Sequence, residues 1–379
     1  MNHRLLGALF LLFAALGLAT PASADIATTA THGILMDYDT GQVLWAKDAT
    51  TPMPPASMSK LMTIELLFQR LKDGRMKLTD TLPVSERAWR ERSGSEMWVK
   101  IGDRMTVENL IRGVITVSAN DGCMVLAEGM GGTVEGFVAM MNKRAKELGL
   151  AQSHFVNPDG LDQPPGQLMS ALDLAKLARH LIHDYPQYYH FFSEHDMSWS
   201  NIHQDNRNPL LGAVPGADGL KTGHLEAAGY GLVGSAIRGG QRIILVLNGM
   251  QSIKDRADEG ARIMEIGFRE FRRYPLYKPG DTVATADVFG GAEKSVPLTV
   301  RAPVAITLQV DSRPGMKVAV RYNAPLKAPL AANQQVGTLN VTAPDFPGLS
   351  IPLYPAHAVE RQGIFGRMWS GLMAMFGRK

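Results

Sequence analysis

Apolar residues recur along the chain in two rhythms. Gly33-Ile34-Leu35-Met36-Asp37-Tyr38 and Gln42-Val43-Leu44-Trp45 are short apolar runs around Asp39-Thr40-Gly41, and they predict a β-hairpin. At Ser57 the spacing becomes helical and continues through Met62, Leu66 and Phe68. Residues 107–130 predict one or two helices, with Leu110, Ile111, Val114, Ile115 and Val117 as the apolar positions. Two further helices are expected over 136–150 and 170–183. Residues 229–236 and 242–247 are strand-like runs joined by Arg238-Gly239-Gly240, a second hairpin. Beyond a boundary at Tyr274-Pro275-Leu276-Tyr277-Lys278-Pro279-Gly280, residues 281–350 carry short alternating runs separated by turn residues, as in a small β-sandwich. The main part is expected over 25–275.

Two polar stretches break the apolar pattern. Val117-Ser118-Ala119-Asn120-Asp121 lies inside an apolar run, where hydroxyls and amides are costly without partners. It either caps a helix break or faces a site. Residues 87–95 are charged, with Gly94 among them, and read as a loop near a site or a plain solvated loop.

The ends carry their own signals. Residues 1–24 read as a secretory leader: Arg4 gives the positive start, Leu5 to Leu18 the apolar stretch, and Ala22-Ser23-Ala24 the small-residue cleavage site. The mature chain is then expected outside the cytoplasm. Over 360–379, Ile364, Phe365, Met368, Trp369, Leu372, Met373 and Phe376 recur at helical spacing, with Arg361, Arg367, Arg378 and Lys379 around them. That is an amphipathic helix suited to a membrane surface and too short to span one.

Composition excludes several classes. An apolar content of 45% over 379 residues supports sizeable cores. Lys+Arg at 39 against Asp+Glu at 36 gives no concentrated basic character, so no nucleic-acid partner is expected. The single Cys123, beside Met124-Val125-Leu126-Ala127, rules out an internal disulfide and reads as a buried core thiol. His180 and His183 stand three apart, but no acidic or cysteine partner is read at helical spacing beside them, so no metal is expected.

The candidate chemistry centres on Pro55-Ala56-Ser57-Met58-Ser59-Lys60. Residues three apart share one helix face, so Ser57 Oγ and Lys60 Nζ can converge. A serine hydroxyl needs a neighbour to take its proton, and a lysine does so only when burial or nearby positive charge keeps it neutral. Ser-x-x-Lys alone is weak, arising by chance roughly once in a chain of this length. Farther on, Asp218-Gly219-Leu220-Lys221-Thr222-Gly223-His224 offers an ammonium, a hydroxyl and a bare backbone to an extended anionic substrate, the glycine letting the substrate come close.

Ser57-x-x-Lys60, Ser118-Ala119-Asn120 and Lys221-Thr222-Gly223, in that order, resemble the motif set of penicillin-binding proteins and serine β-lactamases. Their context is similar to that of the low-molecular-mass penicillin-binding proteins that act as D-alanyl-D-alanine carboxypeptidases. The resemblance covers roughly residues 30–270 and implies an α/β (α+β) transpeptidase-like fold. It implies Ser57 as nucleophile, Lys60 as base and Ser118 as proton relay near Lys221. Asn120 would bind the substrate backbone and help fix Lys60, Thr222 would contact the terminal carboxylate, and the backbone N–H groups of Ser57 and His224 would form the oxyanion hole. Arg256 matches by position an arginine that helps bind the carboxylate. Some relatives carry histidine where Asp159 stands, and no role is assigned there.

The implied activity is removal of the terminal D-alanine from peptidoglycan stem pentapeptides through a Ser57 acyl-enzyme. No cofactor is needed, and β-lactams would act as covalent inhibitors. The rivals are a β-lactamase and a weakly active wall-binding scaffold. A class A β-lactamase uses a glutamate on a loop, and no Glu-x-x-x-Asn element stands between Ser118 and Lys221.

Overall fold

The computed structural model describes residues 26–90 and 94–363. The expected leader over 1–24, and the expected terminal helix from residue 364 onward, lie outside these residues.

The predicted first hairpin forms as β1 (His32–Asp37) and β2 (Val43–Lys47). Its turn is closed by Asp37 Oδ1, which accepts from the Thr40 amide at 2.8 Å and from its hydroxyl at 2.7 Å. Three late strands, β3 (Ala217–Leu225), β4 (Gly229–Arg238) and β5 (Gln241–Met250), join it in an antiparallel sheet of order β2-β1-β5-β4-β3. β5, the last strand of this sheet along the chain, therefore pairs with β1, the first.

Ile243 to Leu247 are all fully buried in β5, and strand alternation divides them between two cores. Ile244 and Val246 face a helical layer. Ile243, Leu245 and Leu247 face the opposite core, with Ile263 and Met264. A strand covered on both faces loses its polar alternation, and each such side chain contributes about 1.5–3 kcal/mol by burial.

The helical layer is built on α1 (Lys60–Lys72), which is buried nearly all round. Around it stand α2 (Val107–Thr116), α3 (Asn120–Gly131), α4 (Val134–Glu147) and α5 (Ala171–Asp184). Side-chain caps start three of them: Thr106, Thr133 and Ser170 accept from backbone amides three residues on. The helix α6 (Ile253–Glu270) covers the other sheet face. The helix expected from Ser57 begins as a 3-10 turn, Ala56–Ser59, before α1. Residues 107–130 form two helices, broken at Val117-Ser118-Ala119.

The expected boundary near 274–280 falls partly within a strand. β6 (Phe271–Tyr277) leaves α6 directly and pairs antiparallel with β7 (Val304–Gln309). Tyr274, Leu276 and Tyr277 pack on the second domain's core, which is why the chain stays extended there. A six-stranded sheet completes this β-rich domain, with its last strand at Phe346–Pro355 and a bridge from Leu330 to Val359, so it continues past residue 350. It docks on the β1–β2 turn: Gln42 Nε2 donates to the Thr307 carbonyl at 2.6 Å, and Arg273 pairs with Asp39 at 3.1 Å.

Candidate active site

Ser57 sits in the 3-10 turn and Lys60 opens α1. Lys60 Nζ lies 2.7 Å from Ser57 Oγ and donates to the Asp159 carbonyl at 2.5 Å. Lys60 is fully buried and makes no ion pair among the described residues. Burial pulls its pKa below that of an ordinary lysine; the Arg207 charge adds to this, while Cys123 and Asp159 oppose it. A buried amine short of counter-charge is readier to be neutral, the state a base requires.

The polar stretch between α2 and α3 faces the cleft, which Ser118 and Asn120 line, and the residue before α3, Ala119, makes no side-chain cap. Ser118 has φ +63°, a left-handed conformation that costs about 1–3 kcal/mol in a non-glycine residue. Its hydroxyl is buried and has no hydrogen-bond partner among the described residues. Asn120 follows as the first residue of α3, its amide donating to the Ser95 carbonyl at 2.7 Å. Next to it the Asp121 carboxylate accepts from the amides of Met97 and Val99, both at 3.1 Å. These bonds bind the 94–99 segment to the start of α3 and bring Gly94 and Ser95 into the cleft wall.

β3 supplies the opposite wall with Thr222, Gly223 and His224. Gly223 lines the cleft and also packs on the chain itself. A Cβ there would lie 2.9 Å from the Pro55 carbonyl oxygen and 3.1 Å from Ala56 Cβ. The space the glycine leaves is thus filled by the chain's own turn before Ser57. The His224 ring stacks on Tyr230, with centroids 4.0 Å apart. Lys221 is buried, donates to the Thr222 carbonyl at 3.2 Å, and is pulled well below an ordinary lysine by burial and by the charges of Lys60 and Arg207.

The cleft has a volume of about 560 Å³, and Ser57, Ser118, Asn120, Thr222, Gly223, His224 and Arg256 all line it. Lys60 and Lys221 lie buried behind this lining. Arg256, on α6, is pushed down to about 10 by burial, and its guanidinium stands 5.6 Å from the Tyr230 ring centroid. Sequence reasoning missed Arg207. It follows the short hairpin Asp196–Trp199/Ile202–Asp205, lines the cleft, and hydrogen-bonds Ser95 Oγ. Arg207 and Arg256 bring positive charge to the cleft wall, which suits an anionic ligand.

Two other residues can now be placed. Cys123 is fully buried, and burial pushes its thiol up to about 12, which fits a core thiol. The reading of His180 as lacking an acidic neighbour was wrong. Asp184, four residues on, lies 2.7 Å from its Nδ1, and Glu65, from α1, lies 3.1 Å from its Nε2. Among the described residues no group of three or more His, Cys, Asp or Glu is arranged to hold a metal ion.

Residues 19–252 match the family described as D-alanyl-D-alanine carboxypeptidase, and residues 271–361 match the penicillin-binding protein 5 C-terminal domain. The chain is 38% identical over 353 residues to the D-alanyl-D-alanine carboxypeptidase DacC of Escherichia coli, covering 90% of this chain and 87% of that one. It is 34% identical to DacF of Bacillus subtilis over 89% of each. Among solved structures, penicillin-binding protein 5 of Haemophilus influenzae superposes with a TM-score of 0.82 at 33% identity, over 89% of this chain and 99% of that one. Penicillin-binding protein D2 of Listeria monocytogenes, solved in a cefotaxime-bound form, superposes over 65% of this chain and all of its own, with a TM-score of 0.60 at 28% identity. With a serine 2.7 Å from a buried lysine, arginines at the cleft wall and both domains matched over nearly their whole length, the chain belongs to the D-alanyl-D-alanine carboxypeptidase family of serine peptidases.

Proposed function

We propose that this carboxypeptidase removes the terminal D-alanine from peptidoglycan stem peptides ending in D-Ala-D-Ala, with Ser57 as nucleophile and neutral Lys60 as its base. The observation that carries this reading is the 2.7 Å approach of a fully buried lysine amine to Ser57 Oγ. Lys60 takes the hydroxyl proton as Oγ bonds to the carbonyl carbon of the penultimate residue. The oxyanion that forms is held by the backbone N–H groups of Ser57 and His224, a donor being worth roughly 2.7–4 kcal/mol in such a site. The C–N bond then breaks, and the departing amine receives a proton relayed through Ser118, with Lys221 behind it. An unpartnered Ser118 hydroxyl in a strained backbone supports that role. Water hydrolyses the resulting ester.

Thr222 and Arg256 take the terminal carboxylate, for which a planar guanidinium is suited. Asn120 binds the substrate backbone, and Gly223 seats β3 against the nucleophile's turn. β-Lactams acylate the same serine. The protein acts outside the cytoplasmic membrane, held to its surface by the amphipathic segment 360–379, in a chain divided into a leader over 1–24, a catalytic domain and the β-rich domain. Among the described residues no single helix is long and apolar enough to cross a membrane.

Intact mass after mixing with benzylpenicillin tests the chemistry. A lasting adduct absent from Ser57→Ala, together with release of D-alanine from a pentapeptide, is expected. Rapid antibiotic loss without an adduct would replace the proposal with a β-lactamase. Deleting 360–379 should move the protein from the membrane to the soluble fraction; retention on membranes would remove the anchor.

A further inference from the structure

Three successive residues of the 157–161 loop meet three residues on one face of the nucleophile-bearing segment. Gly160, at φ +84°, packs so closely on Ala56 that a Cβ there would lie 2.0 Å from the Ala56 carbonyl oxygen. The Asp159 carbonyl accepts from Lys60 Nζ at 2.5 Å. The Pro158 carbonyl accepts from the buried Thr63 hydroxyl at 2.6 Å. Positions 56, 60 and 63 follow helical spacing, so one loop grips the turn before Ser57, the base, and the first turn of α1.

The loop is itself braced. Asn157 Oδ1 accepts from the Gly160 amide at 2.7 Å, and its Nδ2 donates to the Leu161 carbonyl at 2.7 Å. Gln167 Oε1 accepts from the Val156 and Asn157 amides at 2.7 and 3.2 Å.

A neutral lysine amine has two N–H bonds and one lone pair. To accept the Ser57 proton, the lone pair must face Oγ, so an N–H must be occupied elsewhere. The Asp159 carbonyl occupies it. A freely rotating amine would present its lone pair only part of the time, and placement errors of about 1 Å can cost roughly a hundredfold in rate. From this geometry we infer that Thr63 is a positioning residue for the reaction: through the Pro158 carbonyl it fixes the adjacent Asp159 carbonyl, which aims the Lys60 lone pair at Ser57. The contact is made by the Asp159 backbone, which leaves its side chain uninvolved in this task. The inference rests on the functional reading above, with Ser57 as nucleophile and Lys60 as base.

Thr63→Val keeps shape and volume and removes the donor; Thr63→Ser keeps the donor. Thr63→Val is expected to lower kcat for D-alanine release, and the benzylpenicillin acylation rate, about tenfold or more, the order set by misplacement of a general base. KM should stay within about twofold of the wild type, and Thr63→Ser should retain wild-type kcat. A merely structural role would lower the melting temperature while leaving kcat unchanged well below it. Wild-type rates in folded Thr63→Val, a loss confined to KM, or an equal loss in Thr63→Ser would each overturn the inference. If Thr63→Val does not fold, Asn157→Ala loosens the same loop from its other end and must give the same loss in kcat alone, or the inference fails. Absence of acylation in the wild type would overturn the functional reading and this inference with it. A wild type acylated normally beside an unaffected Thr63→Val would overturn only the inference.

Discussion

Helix α1 carries two fully buried ionisable groups, and they are treated in opposite ways. Lys60, at its start, faces a hydroxyl and a carbonyl and has no carboxylate partner in an ion pair among the described residues. Glu65, farther along, is partnered through one oxygen: its Oε1 accepts from Arg144 Nε at 2.8 Å and Tyr185 Oη at 3.0 Å, and His180 Nε2 lies at 3.1 Å, while Oε2 has no partner among the described residues. Burial pulls the Lys60 pKa down and weakens its charge. Burial alone would raise the Glu65 carboxyl, but hydrogen bonds from His180 and Arg144 outweigh it and hold the group below its ordinary 4.5. A buried charge given partners stays charged and serves the fold; one denied them is ready to move a proton.

The sharpest test removes both groups in turn. Lys60→Met should reduce benzylpenicillin acylation about 10²–10⁴-fold, the usual contribution of a general base. Its melting temperature should equal or exceed the wild type's, because the substitution removes an amine that the dry site holds away from its ordinary charged state. A Lys60→Met protein that acylates normally, or that melts far lower, would erase the distinction drawn here.

Glu65→Ala should give the reverse result. Removing one partner of a buried ionic cluster costs about 3–5 kcal/mol, read from urea denaturation, while acylation by the folded fraction persists. The pH dependence has a definite sign. Because the folded carboxyl titrates below its ordinary 4.5, its stabilisation is complete above that value and is lost as pH falls through the folded pKa. The acid limb of stability should therefore be shallower in Glu65→Ala, and an unchanged limb would mean that another carboxylate sets it.

The same contrast shows what could be read from the chain alone. Lys60 and Ser57 were legible because i, i+3 spacing places side chains within one turn, and both hairpins and α5 followed from local periodicity. The Glu65 cluster was not, since its members are brought together from α1, α4 and α5 by packing. The grip of residues 158–160 on the Ser57 turn was hidden for a different reason: a backbone carbonyl leaves no mark on residue identity, and Lys60 and Asp159 are 99 positions apart. Gly223 is legible as a close-approach position, but its packing on Pro55 and Ala56 is not, because sequence shows that a Cβ is absent without showing what lies beside the gap. Arg207 belongs to no motif and reaches the cleft only through the course of the loop around it.

Arg207 supplies the subtlest test of the contrast. It lies at the cleft wall with its own pKa lowered by burial, and its charge helps push both Lys60 and Lys221 down. If scarcity of counter-charge and crowding by like charge keep Lys60 ready, Arg207→Gln should let Lys60 hold its proton more firmly. Acylation follows the neutral fraction of the base, so a higher Lys60 pKa moves the rising limb of the kcat/KM against pH profile to higher pH. Loss of a substrate contact alone would lower the plateau and leave the limb in place. The two effects therefore separate in one titration. A limb that stays put or moves to lower pH would show that burial alone prepares Lys60 and that the neighbouring cations serve only to hold the substrate.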